Sequence, residues 1–167
     1  QAVGQDHHAV VGGAQAGLPA LHDRIAAVVA ERDQQIGRRK RPLTGLSEFP
    51  NLSETLPERR PYPSGALTVR PYGQAFEELR DDPAKNPVFL ATMGTVAAHT
   101  ARATFASNLF AAGGIGVVNP GRADDVDAVL AAYAAAGHPE VVCLTGSDAA
   151  YAAWGAELVT ALREAGA

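Results

Sequence analysis

The chain of 167 residues contains one cysteine, Cys143, and one methionine, Met93. A single cysteine excludes an internal disulfide and any multi-cysteine metal site, and it fits a reducing compartment. There is no excess of basic residues. The formal charge is -4 and the pI is near 5.7, which argues against nucleic acid as a partner, because phosphate binding needs a positive surface. No apolar run approaches the ~20 residues that span a bilayer, so no membrane segment is expected. The dinucleotide pattern G-x-G-x-x-G and the P-loop pattern are both missing, as is the G-x-S-x-G elbow of α/β-hydrolases. No Asp or Glu occurs from Asn86 to Gly121, which removes a phosphorylatable aspartate of the receiver type. The amino end has neither an initiator Met nor a charged-then-apolar leader. The expectation is a piece of a longer, cytoplasmic protein.

What is present suffices for one ordinary domain with a real core. Hydrophobic residues make up 47% and charged residues 19%, a balance that opposes wholesale disorder. Thirty-four alanines and 17 glycines suggest closely packed helices. Residues 1–20 show no clear period and read as an unassigned, solvated or disordered end. His7 and His8 are adjacent, so their side chains diverge on either a strand or a helix, and a shared metal is disfavoured.

Residues 19–40 read as a helix, with Leu21, Ile25, Val28, Val29 and Ile36 near the 3.6 period. The run Arg38-Arg39-Lys40-Arg41 complements a helix C-terminus. It could meet phosphate or anionic lipid, but a solvated helix end is the simpler reading. Eight of the eleven prolines fall between 42 and 87. That region cannot form a continuous helix or central strand, because proline removes a donor and fixes φ. It reads as a linker with a short strand at Leu67-Thr68-Val69 and a short helix from Gln74 to Arg80. A linker of this length suggests wrapping over a partner or joining two domains.

From residue 87 the pattern alternates. Strands are expected at 87–92, 115–118 and 141–145, and helices at 100–112, 124–136 and 149–164. Alternation of this kind implies right-handed βαβ units and a parallel sheet. The fold class is therefore α/β, a partial doubly wound sheet preceded by a helix and a long Pro-rich linker. Ligands of such sheets bind beyond the carboxyl ends of the strands, here the loops 93–99, 119–123 and 145–149. His99 is the one titratable group in the first loop. It could be a base, a ligand or a helix residue packed beneath the loop, and the last is the simplest. Asp148 is the simplest cap for the third helix, with Thr145 and Ser147 beside it. Cys143 lies within a strand and reads as a small inert core residue.

Two stretches carry a family resemblance. Residues 39–52 (RKRPLTGLSEFPNL) resemble the methylmalonyl-CoA mutases, where this run closes the substrate-binding TIM barrel and opens a long linker. Residues 88–94 (VFLATMG), with 103–115 (ATFASNLFAAGGI), are similar to the start of the family's cobalamin-binding domain, and more narrowly to its small (beta) subunits. The resemblance implies four parts. These are 1–20 unassigned, 21–49 as the tail of a barrel, 50–86 as linker and 87–167 as an incomplete, flavodoxin-like cobalamin-binding-type domain.

It also implies a lost site. Catalytic subunits carry D-x-H-x-x-G in the first loop, and the His becomes the lower axial cobalt ligand. Alignment on Met93-Gly94 puts those positions at Val96, Ala98 and Ala101, none of which keeps the family residue. The family serine at the third strand end falls on Thr145, which keeps a hydroxyl. The implied function is a non-catalytic small-subunit portion of a heterodimeric isomerase that interconverts methylmalonyl-CoA and succinyl-CoA. Its partner would be the large (alpha) subunit, which it would stabilise and which would hold the adenosylcobalamin. No cofactor or metal is expected on this chain. Two rivals stand beside this. One is a cobalamin-binding module that ligates through His99, one residue out of register. The other is a free-standing α/β binding domain.

Overall fold

The computed structural model describes residues 6–55, 58, 60–67 and 69–167, with the backbone alone over 6–16. The chain divides into two compact units, Gln1–Pro42 and Leu43–Ala167. No described helix is long and apolar enough to cross a membrane.

The first unit is built on one helix, α1 (Asp6–Gly37). It begins well before residue 19, so residues 6–20 are helical although they show no apolar period. Alanines supply the propensity there, and Pro19 is accommodated inside the helix. His7 and His8 fall in its first turns, and their side chains lie outside the described residues. Leu18, Leu21, Ile25 and Val28 are exposed. Their 3-4-3 spacing places them in one row along the helix. The chain then turns at Arg39, whose φ is +56°, and the amides of Lys40 and Arg41 both donate to the Gln35 carbonyl.

The second unit centres on a three-stranded parallel sheet of order β2-β1-β3. The strands are β1 (Val88–Thr92), β2 (Val117–Val118) and β3 (Val142–Thr145). Sheet order and direction are those of a partial flavodoxin-like fold. Every residue of β1 is buried, as a continuous apolar run in a central parallel strand requires. Strand alternation divides its side chains between two cores. Phe89, Ala91 and Met93 join Val129, Tyr133, Leu158 and Leu162 on one face. Val88 and Leu90 join Ala103 and Ala106 on the other.

Helix α3 (Val96–Ala112) covers the second face, with small alanines allowing close approach. Helix α4 (Val126–Ala135) covers the first, capped by Asp125, whose carboxylate accepts from Ala128 N at 2.8 Å. With it lies a continuous helical run made of α5 (Asp148–Ala150), a π-turn (Tyr151–Gly155) and α6 (Ala156–Glu164). Phe89 meets the Tyr133 ring edge-on at 5.5 Å, and the Tyr133 hydroxyl donates to the Pro139 carbonyl at 3.1 Å.

The proline-rich stretch contains α2 (Gln74–Asp81) where a short helix is expected. The expected strand at 67–69 is corrected. Leu67 and Val69 lie in no strand, and Thr68 is outside the described residues. Leu67 and Val69 are exposed, and flanking prolines leave little room for a ladder. The start of the stretch is not loose. Gly45 N donates to Glu48 O at 2.7 Å, and Leu43 N donates to the buried Ser47 hydroxyl at 2.9 Å. Phe49 N donates to Asn108 Oδ1 at 2.7 Å, and the Asn108 amide donates to the Glu48 carboxylate. This hook ties 43–49 to α3. Beside it opens a cleft of about 510 Å³, lined among others by Leu46, Leu52, Glu54, Glu77, Arg80 and Asp81.

Truncating Phe89 removes both burial and the aromatic edge contact. Phe89→Ala is expected to cost about 3–5 kcal/mol in urea unfolding; a cost below about 1 kcal/mol would mean that β1 is not the centre of this core.

Candidate functional site

The carboxyl ends of the strands hold the candidate site. The first loop is shorter than expected, because α3 starts at Val96 and not at residue 100. Nothing in Val96-Ala97-Ala98 resists winding, and alanine favours it. Gly94 carries a φ of +83°, a conformation that glycine adopts without cost. This turns its amide onto the Ala123 carbonyl at 2.6 Å and joins the first and second loops. Thr92 adds a second tie through its hydroxyl, which donates to the Gly121 carbonyl.

The residues on which the resemblance places the family's ligating positions lie in the first turns of α3. Val96 and Ala101 are exposed and Ala98 is half-buried, and their aliphatic side chains bear no ligating atom. His99 is next in line but faces inward at 3% exposure. Its Nδ1 lies 3.3 Å from the Gly94 carbonyl, which makes Nδ1 the protonated nitrogen. Thr145 is buried with its hydroxyl unpartnered. Strand alternation puts it on the α3 side, with Cys143. Among the described residues no group of three or more His, Cys, Asp or Glu could hold a metal ion.

Two features of the third loop depart from expectation. Ser147, not Asp148, caps the helix, its hydroxyl accepting from Ala150 N at 3.2 Å. Asp148 is instead the first helical residue and pairs with Arg102 at 2.6 Å. That hydrogen bond raises the Arg102 guanidinium above its ordinary range. In the second loop Arg122 and Asp124 make a bidentate pair, both oxygens 2.9 Å from Nε. It holds the Asp124 carboxyl below the usual carboxylate range. Sequence reasoning missed Arg102, although it is the one Lys or Arg between Asn86 and Gly121. That isolation is a signal that could have drawn attention to it.

No protein-family model matches the chain. It is 44% identical to the methylmalonyl-CoA mutase small subunit of Streptomyces virginiae, over 87% of this chain and 25% of that protein. It is 39% identical to the probable methylmalonyl-CoA mutase small subunit of Mycobacterium tuberculosis, over 92% and 26%. It is 32% identical to the methylmalonyl-CoA mutase small subunit of Propionibacterium freudenreichii subsp. shermanii, over 86% and 23%. The chain belongs to the methylmalonyl-CoA mutase small-subunit family. It spans about a quarter of the length of these relatives.

Within this small-subunit stretch Cys143 packs against the Val88–Leu90 face, and burial pushes its thiol up. A raised thiol holds less thiolate at a given pH, and the thiolate is the nucleophile. In the native protein near pH 8, iodoacetamide is expected to alkylate Cys143 measurably more slowly than free cysteine. The difference should vanish in denaturant. A native rate equal to that of free cysteine would contradict the half-buried placement.

Proposed function

We propose that this chain is part of the non-catalytic small subunit of a heterodimeric, adenosylcobalamin-dependent methylmalonyl-CoA mutase, which isomerises methylmalonyl-CoA to succinyl-CoA. The chemistry resides in the large subunit, and this subunit stabilises it. The carrying observation is the start of α3: the positions of the family's cobalt-ligating loop are Val96, Ala98 and Ala101, wound into a helix. These residues do not suit a corrinoid. An axial ligand needs a side-chain nitrogen with a free lone pair, held in place by a hydrogen-bond partner, and Val96, Ala98 and Ala101 carry no such atom. The names of the relatives support a large-subunit partner.

The exposed row Leu18, Leu21, Ile25 and Val28 on α1 supports reading 21–49 as the last part of a TIM barrel. In such a barrel the strands would cover an apolar helix face. The Pro-rich stretch 50–86 then serves as the linker and wraps the assembly. A single cysteine suits a cytoplasmic subunit. The rival in which His99 ligates cobalt is disfavoured by the burial of its ring.

Titration of the full-length chain with cobalamin, in the absence of the large subunit, tests the reading. The visible spectrum of the corrinoid is expected to stay that of the free compound, with His99→Ala behaving the same. Mixing with the large subunit should give a stoichiometric complex with mutase activity. Uptake by this chain that His99→Ala abolishes would establish the rival, and failure to form any complex would favour a free-standing domain.

A further inference from the structure

In a doubly wound sheet of this order, the crevice for ligands opens between the loops that follow β1 and β3. Here three side chains cross it. Arg102 reaches from α3 and donates to the Gly146 carbonyl and to Asp148 Oδ1. Its guanidinium carbon stands 5.1 Å from the centre of the Tyr151 ring, within cation–π range. The Tyr151 hydroxyl in turn donates to Leu144 O at 3.1 Å and accepts from Gly146 N at 3.0 Å. Just past the end of β1, Met93 packs so tightly that a Cβ on Gly146 would lie 2.8 Å from its own Cβ. Gly146 is therefore held on its carbonyl, its amide and its Cα. Directly before it sits Thr145, buried with an unpartnered hydroxyl.

We infer that Arg102 and Tyr151 form an internal latch that holds the crevice between α3 and the β3 loop shut, filling with the chain's own side chains the place where a ligand would enter. The π-turn contributes to it. It starts at Tyr151, and an added residue in the helical turn re-aims the side chains around it. The Asp148 carboxylate is the minor member. Its side chain is 91% exposed, and exposed ion pairs contribute little. The carbonyl and the ring face therefore carry the latch. The inference does not depend on the subunit's partner or on the mutase reaction.

Native-state hydrogen exchange on the full-length chain tests it, with Gly146 and Tyr151 amides as reporters and the Phe89 amide, bonded to Val141 O, as core reference. Arg102→Ala is expected to speed exchange at Gly146 and Tyr151 roughly tenfold, the scale of one hydrogen bond to a charged group, with Phe89 unchanged. Arg102→Lys should give an intermediate effect, since an ammonium lacks the planar fork. Tyr151→Phe should speed Gly146 while leaving Phe89 alone, and Asp148→Ala should do little. Unchanged exchange at Gly146 in Arg102→Ala would overturn the latch. So would a Phe89 amide accelerated as much as Gly146, because Arg102 would then only stabilise the fold as a whole.

Discussion

Strand β1 is the constraint on which the second unit depends. It is paired on both edges, to Val117 and Val118 on one side and to Val142–Thr145 on the other, and it is covered on both faces. A strand in that position has no polar exit for its side chains. Its alternation therefore assigns Phe89, Ala91 and Met93 to one core and Val88 and Leu90 to the other. It also delivers Met93 and Gly94 to the rim of the sheet, where one packs against Gly146 and the other turns the chain onto Ala123. The geometry at the carboxyl ends follows from the register of a single buried strand.

What could be read from residues alone was what repeats locally. The run 88–92 is apolar without interruption, and β1 lies there. Helices α2, α4 and the run from Asp148 to Glu164 fall close to their periodic segments. The boundaries that moved have physical reasons. Helix α3 begins early because alanines take the place of loop residues. Helix α1 extends back to Asp6 because alanine favours a helix even where no apolar face advertises one. Ser147 caps where Asp148 is the simpler expectation: the helix begins at Asp148, the Ser147 hydroxyl accepts from Ala150 N, and Asp148 faces Arg102, far away in sequence. That pairing, the Asn108 tie to Glu48 and Phe49, and the orphaned Thr145 hydroxyl all arise from tertiary contact, which no periodicity encodes.

The site gains its meaning from two changes that point the same way. On the proposed reading the family's ligating positions fall on Val96, Ala98 and Ala101, which bear no ligating atom, and Arg102, Tyr151 and Met93 fill the space above the sheet. Either change alone would leave room for a ligand of another kind. Together they describe a sheet of ligand-binding architecture whose own residues occupy the binding end.

The most direct measurement of the central claim is a cryo-electron microscopy map of the full-length subunit with its large subunit and adenosylcobalamin in excess. The account predicts corrinoid density in the large subunit alone, with the chain helical from Val96 onward and Arg102 seated against Tyr151 and Gly146. Corrinoid density over the crevice between the β1 and β3 loops of this chain, with Arg102 displaced, would contradict it.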